Sequence, residues 1–420
     1  MFKLHRFAEH HQGFLDFEIP PEKVNKFFFG KDKYGIQRQC LIVNATPAGT
    51  SLEASYYIGI DWLDQKNAIH IRPKIDDEDI QTDYLGMLSS CLKHPEIFAE
   101  TKDLFKIKFN EPFIPIDKSD DLLTPLLIIQ FLGVLEVIVT KGLRKSYYRV
   151  ENRLKAGVKG KIDMVKTTRS NLKSETMGIH CNYDEFGNNT QENRLLKKTL
   201  TFIQQYVVNH ISSYGNIQHI IRKCNSAFQS VSDDFDLTSI RNVPIHSIYK
   251  EYEEAIRLGQ LILRRFGYSI RTTGGNSRTK IPPFWIDMSK LFELYVLGLL
   301  KDRFGKNVDY HFSSRWNELD YLLNDPNYKM VIDAKYKVRY QKETGSNYRL
   351  EDVRQLSGYA RLNAVYDELN LPTNQLIDCL IIYPDRNASM DLPIDLKEGH
   401  INGFQGFYKV AVRLPEVSSL

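Results

Sequence analysis

Apolar and polar positions change rhythm several times along this chain of 420 residues. Cys40 to Val43, Ser55 to Ile60 and Ala68 to Ile71 are short runs rich in β-branched and aromatic residues, separated by polar turns, which predicts strands. The acidic cluster Asp76-Asp77-Glu78-Asp79 reads as a surface loop or a helix start. From Leu122 to Val139 the chain is almost all apolar, broken only by Thr124, Pro125, Gln130 and Glu136. That pattern predicts a buried helix, with Thr124 as its cap, Pro125 in its first turn and Lys141-Gly142 at its end. The uninterrupted apolar run after Pro125 stops at Ile129, short of the ~20 residues a bilayer requires. No membrane partner is expected.

Residues 146–190 read as strands and loops, with glycines at 157, 160 and 178. Residues 191–212 and 247–266 have helical periodicity. A polar break from Arg271 to Thr279, containing Gly274-Gly275 and followed by Pro282-Pro283, marks a boundary. Beyond it the rhythm predicts a helix at Met288 to Phe304 and strands at Val308 to Phe312, Leu319 to Leu323 and Met330 to Tyr336. A second helix is expected at Leu350 to Leu369. The apolar run Leu376 to Tyr383 suits a strand covered on both faces. The expectation is a multidomain α/β protein in three parts: a mainly β domain over 1–120, a helical and basic middle region over 121–280, and an α/β domain over 281–420 with a central mixed sheet flanked by helices.

Composition changes this picture little, because 42% hydrophobic and 26% charged residues are ordinary for a globular chain. The net charge of +4 is small, but its distribution is uneven. Between Lys141 and Lys173 there are eleven Lys/Arg and two acidic residues, Glu151 and Asp163, with Tyr147 and Tyr148 interleaved. Such a segment either attracts a polyanion or is a solvated face. Cys40, Cys91, Cys181, Cys224 and Cys379 form no CxxC pair, which argues against a disulfide framework or zinc ribbon and for a reducing, cytoplasmic setting. The N-terminal MFKLHRFAEHH has no apolar core of a signal peptide. The histidines lack HxxxH or HxH spacing, and no GxxxxGK[ST] phosphate loop occurs, so the chain is not an NTPase by that test.

The candidate chemistry lies in residues 318–336, ELDYLLNDPNYKMVIDAKY. Asn324-Asp325-Pro326-Asn327 is a turn signal between two apolar runs. A hairpin symmetric about it pairs Leu323 with Met330 and sets Asp320 opposite Asp333. Like charges facing each other weaken a sheet, and a Mg²⁺ between them reverses the sign of the interaction. Lys335, two residues after Asp333, projects from the same strand face. Glu293 is one carboxylate in the apolar helix segment Leu291 to Leu297, where it needs a partner. Gln355 and Tyr359 lie four apart on one helix face, and Arg354 and Arg361 on neighbouring faces are candidate phosphate contacts. The bare acid-x-Lys triplet is weak, since Asp64-Gln65-Lys66, Glu100-Thr101-Lys102 and Asp395-Leu396-Lys397 also match it.

Asp320…Asp333-Ala334-Lys335 resembles the signature of the PD-(D/E)xK nuclease superfamily. With GVKGKIDM (157–164), QENRLLKKTL (191–200), FWIDMSKLFELYV (284–296) and RQLSGYA (354–360), the chain resembles the McrC nuclease subunits of McrBC-type restriction systems. The resemblance covers about the C-terminal two-thirds. It implies a Mg²⁺-dependent DNA endonuclease, with Mn²⁺ as an alternative ion, that acts on double-stranded DNA. It also implies a partner: a McrB-like AAA+ GTPase hexamer that binds the GTP and reads modified cytosine, whose ring this subunit binds through its N-terminal part and whose GTP hydrolysis it stimulates. By position it makes Asp320, Asp333 and Ala334 metal-binding residues, Lys335 the catalytic lysine, and Glu293 and Gln355 accessory catalytic residues. Two other readings stay open: a non-catalytic adaptor of an AAA+ ring with a decayed nuclease domain, and a nuclease that needs no motor.

Overall fold

A computed structural model of the chain describes residues 2–416 except 32–34, 48, 75–81, 92–93, 95–96, 98–99, 109, 118–122, 174–176, 211–214, 237–249, 272–277, 315–316 and 337–347. The acidic cluster at 76–79 and the Gly274-Gly275 break lie outside the described residues. The first stretch comprises β1 (Lys3–Ala8), β2 (Gln12–Leu15), β3 (Phe27–Lys31), β4 (Gln37–Thr46), β5 (Gly49–Ala54), β6 (Tyr57–Trp62), β7 (Asn67–Arg72), α1 (Tyr84–Cys91), β8 (Phe105–Ile107) and β9 (Ile114–Asp117). The middle holds α2 (Leu123–Lys141), β10 (Ser146–Leu154), β11 (Lys161–Ile162), α3 (Met164–Lys173), β12 (Ile179–Gly187), α4 (Gln191–His210), α5 (Gly215–Ala227) and α6 (Lys250–Arg271). The last stretch has β13 (Arg278–Ile281), β14 (Phe284–Asp287), α7 (Met288–Phe304), β15 (Val308–Ser314), β16 (Asn317–Asn324), β17 (Lys329–Ala334), α8 (Leu350–Tyr359), α9 (Asn363–Leu369), β18 (Asp378–Pro384) and β19 (Phe407–Val412). The chain is mixed α/β with several sheets.

These elements pack as two compact units, where the sequence reading draws three parts. One unit joins residues 1–126 to 277–420, and the other spans residues 127–276. The joining has a topological cause. β14, from residues 284–287, enters a sheet of order β1-β7-β6-β14-β8 and pairs antiparallel with both β6 and β8. Gly59 in β6 permits this approach. It has φ +151°, and a Cβ there would stand 2.1 Å from the Phe284 carbonyl oxygen. Trp285, fully buried, joins the core that this sheet shares with the sheet β2-β5-β4-β3. Local patterning does not reveal that four residues after a Pro-Pro step complete a sheet begun more than two hundred residues earlier.

The second five-stranded sheet has the order β15-β16-β17-β18-β19. β15, β16 and β17 are antiparallel, and β17, β18 and β19 run parallel. α8 and α9 cover one face, where Leu322, Val331, Val353, Leu356, Val365 and Ile381 share a core. The expected single helix from 350 to 369 is two helices, because Leu362 is extended (φ −72°, ψ 128°) and packs against that core. β19 was not anticipated. α7 begins directly after β14, and Asp287 caps it by accepting the Lys290 N–H at 3.0 Å.

In the other unit α2 is buried over most of its length and ends where expected: Gly142 has φ +91°, and its N–H donates to the Val139 carbonyl. The helix starts at Leu123, one residue before the expected cap. Among the described residues no helix is long and apolar enough to cross a membrane. Cys40, Cys181, Cys224 and Cys379 are buried free thiols.

Candidate active site

The hairpin β16–β17 has Leu323 paired with Met330, and its ladder ends at Tyr321 opposite Ile332. One step further lie Asp320 and Asp333. Here the ladder opens, and the Asp320 carboxylate accepts the Ala334 N–H at 3.0 Å. The turn that sets this register is closed by reciprocal backbone bonds between Asp325 and Tyr328. Asp333 is buried and Asp320 is part-exposed. The Lys335 ammonium lies 2.8 Å from Asp333 Oδ2. It also donates to Gln355 Oε1 at 3.4 Å, and Gln355 Nε2 donates to the Tyr359 hydroxyl at 3.0 Å. Asp320, Asp333, Ala334, Lys335, Gln355 and Tyr359 therefore form one continuous cluster between the sheet end and α8.

Negative charge exceeds positive charge in this cluster. Burial holds Asp320 well above the usual carboxylate range, and the charges of Asp333 and Glu293 push it further. Asp333 is also raised by burial, which outweighs the opposing pull of Lys335. Burial tends to lower Lys335, but Asp333 more than offsets this and keeps the ammonium charged. Asp352 on α8 is a buried acid whose charge acts on both Asp333 and Lys335. It escaped the sequence reading because an acid in the first turn of a helix looks like ordinary dipole compensation.

Glu293 approaches from α7 on the other face of the sheet. Its Oε1 accepts from the Tyr310 hydroxyl at 2.8 Å and lies 2.8 Å from His311 Nε2. The Tyr321 hydroxyl donates to the Glu293 carbonyl at 2.6 Å. Glu293 thus has the partners a carboxylate in an apolar helix requires, while its charge still reaches Asp320. His311 has φ +52°, an uncommon conformation for a non-glycine residue, and the β15–β16 ladder skips its pair. Dispersed histidine spacing gave no hint of this role. Of the two arginines singled out in sequence, Arg354 is exposed on α8, and Arg361 donates to the Tyr366 hydroxyl at 3.2 Å.

The competing triplets have other roles. Asp64 accepts the N–H groups of Lys66 and Asn67 in a turn, and Asp395 accepts the Lys397 N–H in another. Glu100 to Asp103 is a short 3-10 helix. Among the described residues no three His, Cys, Asp or Glu side chains converge as a preformed metal cage. The candidate centre has two acids, a backbone group and a lysine.

The family described as McrBC 5-methylcytosine restriction system component matches residues 52–377. The site and fold thus occur in a restriction-system component, and the chain belongs to that McrBC family. No curated protein matches the chain. Among solved structures, a chain of the Thermococcus gammatolerans assembly of McrB AAA+ hexamers with bound McrC is 15% identical, covering 98% of this chain and 94% of that one with a TM-score of 0.39. A chain of the McrBC complex from the same organism is also 15% identical, covering 71% and 87% with a TM-score of 0.30.

Proposed function

We propose that this chain is the Mg²⁺-dependent DNA endonuclease subunit of a McrBC-like restriction system, acting with an AAA+ GTPase hexamer that binds the GTP. It cleaves methylcytosine-containing foreign DNA and stimulates the partner's GTP hydrolysis. The observation that carries this reading is the cluster of Asp320, Asp333 and Lys335 at the open end of a hairpin, in a chain of this family. The absence of a phosphate loop from the sequence fits a motor on another chain. Residues 1–120 are the part assigned to the ring, and residues 281–420 form the PD-(D/E)xK-type nuclease region.

The donor set fits a hard divalent ion. Two adjacent, desolvated carboxylates repel each other without one, and Mg²⁺ sites commonly take one or two carboxylates, completing their shell from water and substrate phosphate. Asp320, Asp333 and the Ala334 carbonyl would hold the ion, and Mn²⁺ would suit the same donors. When bound, the metal supplies Lewis acidity and a more acidic water. Lys335, on the same strand face as Asp333, presents its ammonium to charge developing on the phosphoryl oxygens. Gln355 restrains that ammonium through one bond and is itself steadied by Tyr359. Glu293 adds negative potential behind Asp320, which favours a cation in front of it.

The test is cleavage of a methylated plasmid by the complex reconstituted with its GTPase, Mg²⁺ and GTP. Wild type cuts. Asp333→Ala does not cut, yet still stimulates GTP hydrolysis. Undiminished cutting by the variant would sink the assignment of the site.

A further inference from the structure

Two consecutive residues of β15 bond the same carboxylate oxygen. A regular strand does not allow this, because its successive side chains point to opposite faces. The Tyr310 hydroxyl donates to Glu293 Oε1 at 2.8 Å, and His311 Nε2 lies 2.8 Å from the same atom. The φ of +52° at His311 makes this possible. It slips the alternation by one residue. The two rings stack with centroids 3.8 Å apart, and Phe312 packs, with its register partner Leu319, on the core that α8 covers. The pair omitted from the β15–β16 ladder at this step is His311 with Asp320, between Tyr310–Tyr321 and Phe312–Leu319. The distortion therefore falls opposite a candidate metal ligand.

Solvation of Glu293 alone does not call for it. Tyr310 already reaches the carboxylate, and the Glu293 side chain is 19% exposed, so water can supply further bonds. A left-handed conformation at a non-glycine residue persists only where the surrounding contacts impose it, and such residues gather at functional sites. Both donors are well defined. Burial, together with the charge of Glu293, pushes the Tyr310 hydroxyl up, so it stays protonated. A carboxylate oxygen only accepts, so the imidazole carries its hydrogen on Nε2. Its Nδ1 stands 3.6 Å from Glu318 Oε1. With Oε1 engaged twice, Glu293 Oε2 forms no hydrogen bond with any described residue.

We propose that Tyr310 and His311 are positioning residues of the candidate site: their donors fix the Glu293 carboxylate through Oε1 and leave Oε2 to accept from a water of the divalent ion's shell. This role rests on the reading of Asp320 and Asp333 as metal ligands. Mg²⁺ keeps several of its waters when a protein binds it, and hydrogen-bonding groups beyond the direct ligands tune a metal site.

The experiment is calorimetric titration of Mn²⁺ into the full chain without nucleotide or DNA, so that no cutting is involved. Tyr310→Phe and His311→Leu should each weaken Mn²⁺ binding roughly tenfold or more. His311→Gln keeps a donor near the Nε2 position and carries the same backbone cost as His311→Leu, so it should bind like wild type. In a Glu293→Gln background, His311→Leu should cause no further loss. Wild-type affinity in both Tyr310→Phe and His311→Leu overturns the proposal, as does a loss in His311→Gln equal to that in His311→Leu, or a further loss in the Glu293→Gln background. Should His311→Leu fail to fold, Tyr310→Phe decides, since it removes one oxygen from a ring that stays packed. Asp333→Ala should abolish Mn²⁺ binding. Undiminished binding by that variant, or no binding by wild type, overturns the metal reading and this role with it. Lost binding there, with Tyr310→Phe and His311→Leu unchanged, overturns the positioning role alone.

Discussion

Among the described residues, two aspartate–lysine pairs with buried carboxylates nearly match in distance and exposure. Asp61 meets Lys108 at 2.6 Å with exposures of 0% and 18%, and Asp333 meets Lys335 at 2.8 Å with exposures of 4% and 16%. Their surroundings differ. Asp61 Oδ2 also accepts from Trp285 Nε1 at 2.8 Å, and Oδ1 accepts the Trp62 N–H at 2.8 Å. Both oxygens are satisfied, and the second acid on Lys108, Glu111, sits at a more open rim. Around Asp333 one lysine faces Asp320 and Asp352 as well. A closed pair ties a sheet together, whereas a pair with surplus carboxylate has capacity for another cation. Burial and distance alone do not separate these cases; the count of charges and donors does.

The largest effect should come from breaking the closed pair. Asp61→Ala strands the buried Trp285 N–H and leaves Lys108 to the more exposed and more distant Glu111, and should cost about 3–5 kcal/mol in denaturant unfolding. Asp333→Ala should cost far less, because Lys335 keeps Asp320 and Asp352 nearby. Equal losses in the two variants would erase the distinction. On the functional side, Asp333→Ala should reduce plasmid cutting by the reconstituted complex at least about a hundredfold, with Asp61→Ala affecting it only through stability. Gly59→Ala would drive a methyl into the β14 backbone and should cost about 2–3 kcal/mol. A melt matching wild type would contradict the close approach of β6 and β14.

The smallest effect carries a sign. Asp320 is raised in the folded chain, so its favourable contribution is complete below the ordinary value of 3.8 and is lost as pH rises through the folded value. At neutral pH in EDTA, Asp320→Asn should therefore stabilise the chain by about 1 kcal/mol, since the amide oxygen can still accept the Ala334 N–H. That gain should vanish below about pH 4, where wild type is protonated as well. Excess Mg²⁺ should favour wild type over the variant. Thermal melts across pH, with and without Mg²⁺, check each part.

The hairpin register was legible because turn chemistry and alternation agree there: Asn324 to Asn327 fixes the loop, and Leu323 then falls opposite Met330. The helix ending at Gly142 was legible for the same reason, a local rule with a local cause. What escaped was non-local or conformational. β14 looks like the preface to a helix until its two neighbours are known. Asp61 in IGIDW is as anomalous in an apolar strand as Asp333, yet drew no notice because its partners, Lys108 and Trp285, are far away in sequence. The positive φ of His311 has no signature in residue type, and Asp352 was hidden by an innocent explanation.

The passage from β14 into α7 has a practical and evolutionary consequence. The strand is interior to one sheet, and the helix it feeds carries Glu293 to the edge of another, with Asp287 at the joint. A cut near residue 281, where the sequence suggests a seam, would leave the upstream fragment without an interior strand and give the downstream fragment an orphaned one. The two ends of this gene are thus poor candidates for fission or shuffling as independent modules. A donor of the last region would have to bring a strand that fits another protein's sheet.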